Sequence, residues 1–162
     1  MDKIDKLLDL IKKDKRCEVN PPKGDLPSLP NNKLKCPEDV IYFYQKCNGV
    51  KLFCNDNSLI TFTILPNDEV LNSNMKIVGE LCEYDISSTW YLIAKTDNND
   101  YLSIDLSLER NGRCYDSNYE VHGIVGSCTV IALSFSELLS QLYNTGGKDI
   151  YWKKKSYGDA YD

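Results

Sequence analysis

His122 is the one histidine in this 162-residue chain, so a Cys–His or Ser–His nucleophile pair has a single possible base. Nothing beside it in sequence marks it as one, and a packed or surface imidazole is the expectation. Seven cysteines stand at positions 17, 36, 47, 54, 82, 114 and 128. Their number is odd and they include no C-x-x-C pair, which fits neither a zinc ribbon nor a disulfide lattice. They are expected to be free thiols acting as small buried hydrophobes in a reducing compartment. Gly146-Gly147-Lys148 has the outline of a phosphate loop. That loop needs an earlier Gly where Leu142 stands and a hydroxyl where Asp149 stands, so the glycines read as a helix stop. Asp97-Asn98-Asn99-Asp100 begins like a calcium loop but has no Gly at the sixth position and Leu108 in place of the bidentate Glu. It reads as a hairpin turn. G-x-G-x-x-G, G-x-S-x-G and H-E-x-x-H are all absent. Acidic pairs such as Glu80 with Glu83 arise by chance among 24 acidic residues. The residues point to no catalytic set, no cofactor and no metal, and favour binding over catalysis.

The elements that would position these residues follow from periodicity. Ile4, Leu7, Leu8 and Ile11 recur at i, i+3, i+4 and i+7, which predicts an amphipathic helix over 2–16. Four prolines between 20 and 32 predict a loop. A second helix opens at Pro37 with Glu38 and Asp39 in its first turn, carries Val40, Phe43, Tyr44 and Cys47 on its apolar face, and is stopped by Asn48-Gly49. Short β-branched and aromatic runs then predict strands at Val50–Phe53 and Leu59–Leu65, and a hairpin of Trp90–Lys95 with Tyr101–Leu106. Weaker strands are expected at Arg113–Tyr115 and Val121–Val125. Ser134 with Glu137 forms a capping box ahead of Phe135, Leu138, Leu139 and Leu142, predicting a helix up to Asn144. The tail, 148–162, has Tyr151-Trp152 as its evident anchor. No internal repeat and no second hydrophobic pattern are present, so the reading is one α+β domain with an antiparallel or mixed sheet flanked by helices.

Composition limits the function classes. The chain is 42% hydrophobic and 27% charged with a net charge of -5, neither a disordered polymer nor a basic nucleic-acid binder. No apolar run is long enough to cross a bilayer and the first sixteen residues are dense in Asp and Lys, so a cytoplasmic protein with no membrane contact is expected. Charge is uneven: residues 37–147 hold fifteen acidic against six basic side chains, while 1–36 hold nine basic against six acidic. An acidic body repels phosphates and attracts basic partners.

The run Pro37-Glu38-Asp39-Val40-Ile41-Tyr42-Phe43-Tyr44-Gln45-Lys46-Cys47-Asn48-Gly49-Val50 resembles the N-terminal signature of the SUKH superfamily: Pro and an acidic residue opening a helix, aromatics along it, Asn-Gly closing it. Trp90-Tyr91-Leu92-Ile93-Ala94, the polar turn and Leu102-Ser103-Ile104-Asp105 resemble its central hairpin. Gly112-Arg113-Cys114-Tyr115 with Ala132-Leu133-Ser134-Phe135-Ser136-Glu137-Leu138-Leu139 is similar to its closing strand and helix. The likeness covers about 28–143; the Gly usual in the central turn is missing, and the tail has no counterpart. It implies an α+β fold and an immunity protein, or antitoxin, of a polymorphic toxin system: a non-enzymatic binder that neutralises a cognate, basic toxin domain, often a nuclease. The alternative it implies is a regulatory scaffold related to cell-wall synthesis regulators. A nuclease presents a basic groove, and Asp97, Asp100, Tyr101, Asp105, Asp116, Tyr119 and Glu120 are expected to form the face that covers it. The competing reading of the same residues is that Tyr101 and Tyr115 pack the sheet while the carboxylates solvate loops.

Overall fold

A computed structural model describes all 162 residues. The apolar stripe of the first helix, α1 (Asp2–Lys13), buries Ile4, Leu7, Leu8 and Ile11. The helix ends three residues before the expected point. Asp14 turns extended, its carboxylate accepting hydrogen bonds from Arg16 at 2.8 Å and from the Tyr143 hydroxyl at 2.9 Å. Pro37 caps α2 (Glu38–Lys46) from outside, and a short α3 (Ser73–Ile77) follows that the periodicity does not announce. The last helix, α4 (Phe135–Asn144), buries Phe135, Leu138, Leu139 and Leu142. Phe43 of α2 meets Phe135 of α4 edge-on, ring centres 4.9 Å apart.

Seven strands form one antiparallel sheet in chain order: β1 (Glu18–Val19), β2 (Val50–Leu52), β3 (Phe62–Ile64), β4 (Trp90–Thr96), β5 (Tyr101–Asp105), β6 (Cys114–Ser117) and β7 (Val130–Ala132). Side chains alternate across it with the period-2 pleat. One face carries Phe62, Ile64, Ala94, Leu102, Ile104 and Cys114 into the main core with α1, α2 and α4. The other carries Trp90, Tyr115 and Val130 into a smaller cluster with Cys128 and Ala160. There Trp90 stacks on Tyr115 at 4.0 Å. The protein is a single α+β domain, and no helix is long and apolar enough to cross a membrane.

Other local expectations also change on contact with the structure, beginning with the strand expected at Leu59–Leu65, which pairs only over Phe62–Ile64. Val121–Val125 is not a strand: Gly123 and Gly126 take φ of +68° and +85°, and the segment turns on itself with His122 N–H donating to Asn118 O. Asn48-Gly49 does not stop α2 directly, since Cys47 is already extended. Gly49 (φ +94°) instead lets the chain pass β3, where a Cβ would lie 2.5 Å from Ile64 O. The capping box is half made. Ser134 Oγ accepts from Glu137 N–H, but the Glu137 carboxylate accepts from the Tyr157 hydroxyl at 2.7 Å. The tail has more anchors than Tyr151-Trp152. Residues 157–160 run along β7, with Val130 N–H donating to Gly158 O and Ala160 N–H to Cys128 O, and Asp159 accepts from the amides of Gly126 and Cys128.

Candidate partner-binding site

Register decides which of the acidic residues can act together. Ala94 pairs with Leu102, and Leu102 with Asp116, so these three share the helix-packed face; Thr96, two residues beyond Ala94, points the same way. At this end of the sheet β4 turns into β5 through Thr96–Asp100, closed by Thr96 N–H to Asp100 O at 3.0 Å and by Asn99 at φ +58°. The helices do not reach this far, and the tail crosses instead. Trp152 leans on Phe62, ring centres 6.5 Å apart, and donates its indole N–H to Asp116 Oδ2 at 3.2 Å.

The result is a concavity of about 220 Å³ with Ile60, Ile150 and Trp152 as its apolar wall and Asp97, Asp100, Asp116 and Asn118 as its polar one; Lys153 sits on its rim. That is below the range of small-molecule sites and suits a single long side chain. Asp116 accepts from Asn118 N–H at 3.0 Å as well as from Trp152, and burial pushes its carboxyl above the usual carboxylate range. Thr96, 5% exposed, lines the same pocket, and its buried Oγ1 has no hydrogen-bond partner. Three carboxylates against one ammonium give the pocket an excess of negative charge.

The remaining expected residues divide. Tyr119 and Glu120 follow β6 on the exposed surface beside the pocket, the Tyr119 hydroxyl donating to Glu120 at 3.2 Å, and the carboxylates of Glu120 and Asp100 raise the tyrosine's pKa. Tyr101 pairs with Lys95 and Ser117 and therefore points to the opposite face from Asp100 and Asp116. Asp105 is a correction. It is fully buried and accepts from Thr89 Oγ1 (2.8 Å), Ser107 N (3.0 Å), Arg110 Nε (3.2 Å) and the Tyr115 hydroxyl (2.6 Å), so it belongs to the fold and to no surface. Thr96 and Trp152, which complete the pocket, were outside the expected set. The sequence presents Trp152 only as a tail anchor, and a threonine at a strand end carries no sequence signal at all.

His122 lies 7% exposed in a chain of polar groups on the smaller-cluster side. Asn74 spends both amide hydrogens on Leu81 O and Ser87 Oγ, so its Oδ1 accepts from His122 Nε2 at 2.6 Å. Nδ1 is then the acceptor, and the Ser117 hydroxyl donates to it at 2.9 Å. Ser117 in turn touches Ser103, and Ser103 touches Ser73. Desolvation lowers the imidazole pKa, with Asp85 opposing. The Ser117–His122 contact has the form of a nucleophile and base, but Ser117 is completely buried and no substrate atom could reach it. No group of three or more His, Cys, Asp or Glu side chains is arranged to hold a metal ion, and all seven cysteines are free.

The profile of the SMI1 / KNR4 family (SUKH-1) matches residues 31–141. "Immunity protein YokJ" of Bacillus subtilis (strain 168) is 41% identical over 162 residues, covering 98% of this chain and 96% of that protein. No solved structure matches the chain.

Proposed function

The chain belongs to the SMI1 / KNR4 family (SUKH-1), and from that premise we propose that it is an immunity protein that binds a cognate toxin domain in the cytoplasm and neutralises it one-to-one. The observation that carries this reading is the 41% identity, nearly end to end, with a relative named as an immunity protein. The toxin is proposed to be basic, a nuclease whose phosphate-binding groove is covered by the acidic end of the sheet: Asp97, Asp100 and Asp116 in the pocket, Tyr119 and Glu120 beside it. Support for that surface comes from the acidic body of residues 37–147 and from the pocket's excess of carboxylates. Opposite potentials would steer encounter and occlude the groove without any contact between this protein and nucleic acid.

The experiment is co-expression with the protein encoded immediately upstream, reading growth rescue and co-purification at low and high salt. Rescue with a stable one-to-one complex whose association slows as salt rises is the expected outcome. A neighbour that is harmless alone and leaves no complex would remove the immunity reading for that partner.

A further inference from the structure

Resting on the immunity reading, we infer that the pocket between the β4–β5 turn, β6 and Trp152 is the seat of one arginine side chain of the cognate toxin. Two independent features meet there. The first is charge: Asp97, Asp100 and Asp116 face a single ammonium, that of Lys153, which makes no ion pair. Asp100 has no side-chain hydrogen bond, while its backbone carbonyl accepts from Thr96 N–H at 3.0 Å. The second is Thr96 Oγ1, a buried hydroxyl without a partner on the pocket face of β4. A buried polar group left unpaired costs stability, and an incoming donor at this position relieves that cost.

The shape selects the kind of donor. Ile60, Ile150 and the Trp152 ring offer an apolar wall for an aliphatic stem, and Thr96, Asp97, Asp100 and Asp116 line the same pocket. A guanidinium has five donors in a fixed planar fork, which suits the divided set of the Asp100 and Asp116 carboxylates, with Thr96 Oγ1, closed to solvent in the unbound protein, reached only as the pocket wall gives way; it also stacks favourably on an aromatic face. An ammonium is a point charge with three donors and satisfies such a divided acceptor set less completely. Asp116 is suited to one face of this exchange. Its two oxygens already accept from Asn118 and Trp152, which fixes the carboxylate in place before any partner arrives. Preorganisation of this sort lowers the ordering cost of binding.

The test separates the pocket from the immunity reading by using two probes. In the first arm, the full-length protein is titrated with N-acetyl-arginine amide, its neutral isostere N-acetyl-citrulline amide, and N-acetyl-lysine amide, following the Trp152 indole N–H and the amides of Thr96, Asp100 and Asp116 by NMR. The expected result is a saturable shift with the arginine probe, a weaker one with lysine, none with citrulline, and loss of the arginine response in Asp100→Asn. In the second arm, toxin affinity is measured for Asp100→Asn and Thr96→Val, with Asp68→Asn as the acidic control away from the pocket. A weakening of about 30-fold or more is expected for Asp100→Asn, the size seen when one partner of a desolvated charge pair is removed. Thr96→Val weakens binding while its melting temperature is unchanged or raised, because it deletes an unsatisfied hydroxyl; a merely structural role for Thr96 would not give that combination. Lys153→Gln is expected to strengthen the arginine response. Equal shifts from citrulline and arginine overturn the proposal, and so does a toxin complex of undiminished affinity in both pocket variants, an outcome that would leave immunity standing. Saturable arginine binding by a chain that captures no toxin would instead support the site and remove the immunity reading.

Discussion

Replacing Asp105 with Asn tests whether the buried carboxylate is a structural node, as its surroundings require, or part of a partner surface, as its sequence context invites. Oδ1 accepts from the Thr89 hydroxyl and the Ser107 amide, and Oδ2 from Arg110 Nε and the Tyr115 hydroxyl. The two hydroxyls can rotate to accept from an Asn amide group. The Ser107 N–H and the Arg110 Nε–H cannot, and they lie on opposite oxygens, so either orientation of Asn sets an NH₂ against a fixed donor. Breaking a buried ion pair costs about 3–5 kcal/mol. Here the Arg110 side chain is 27% exposed and regains some hydration, which places the loss near the lower end, about 3 kcal/mol. For a chain of this length that is a fall in melting temperature of about 6–12 °C. Urea unfolding at constant m, with Asp97→Asn as the exposed control that should change stability by less than about 0.5 kcal/mol, makes the measurement. Partner affinity, read at a temperature where the variant is still folded, should stay within about two-fold of the parent, since no atom of Asp105 reaches the surface. A loss of stability below about 1 kcal/mol, or a collapse of affinity in a fully folded variant, would refute the network argument.

Gly49→Ala should destabilise by about 2 kcal/mol or more, since it demands both a left-handed L-residue and a Cβ 2.5 Å from Ile64 O; a melting temperature within 2 °C of the parent would contradict the crossing geometry. The lowered pKa of His122 means that the unfolded chain takes up its proton first as pH falls, so stability is complete above the unfolded value near 6.5 and declines below it. Between pH 7.5 and 5.5 the parent should lose stability and His122→Gln should lose less, which denaturant titrations at the two pH values will read. Truncation after Ser156 removes the strand-like run along β7, and hydrogen exchange at the amides of Cys128 and Val130 should accelerate while α1 stays protected. A thiol reagent applied to the native protein should spare Cys47, Cys114 and Cys128, all fully buried, with burial pushing Cys128 up to about 12; rapid labelling of these three before unfolding would show that the core opens more readily than its packing implies.

What the sequence discloses of this fold tracks how much of each element repeats. Helices α1, α2 and α4 each set several apolar residues at helical spacing, and the β4–β5 hairpin sets two long arms around a polar turn, so all four were legible. The elements that were not are short or driven by tertiary contacts. In β1 only Glu18 and Val19 pair, against β2, and no period can be read from two residues. The apolar run of β7 gives no alternation because Val130, Ile131 and Ala132 are all buried, Ile131 at an irregularity that turns it into the main core. Helix α3 buries Ser73 and Asn74. Polar residues in that role mimic a loop, and only the hydrogen bonds to Ser103, Leu81, Ser87 and His122 explain them. Conversely, the β-branched residues around His122 imitate a strand that Gly123 and Gly126 fold into a turn.

The candidate site divides along a sharper line, because composition locates charge whereas the pleat assigns it to a face. Asp100, Tyr101, Asp105 and Asp116 look equivalent as polar residues around one hairpin. A one-residue step separates Asp100 from Tyr101 and so places them on opposite faces of the sheet, and Asp105 follows Tyr101 to the far side, where Arg110 and Tyr115 claim it. Asp116 reaches the near side because it pairs with Leu102, and that register cannot be read from the spacing of two strands joined by a connection as long as 106–113. The tail then converts a charged sheet end into a concave one: Trp152 lies over Phe62 and donates its indole N–H to Asp116, and Ile150 extends the apolar wall. The tail, which has no counterpart in the signature the rest of the chain resembles and lies beyond the matched span of 31–141, therefore supplies Ile150, Trp152 and Lys153 to the lining of the pocket. If the proposed immunity role holds, discrimination among toxins would be built from differences in contact rather than from the shared scaffold. On the proposed immunity reading, a pocket walled partly by Ile150 and Trp152, outside the family span, would let the partner vary without disturbing the seven-stranded sheet.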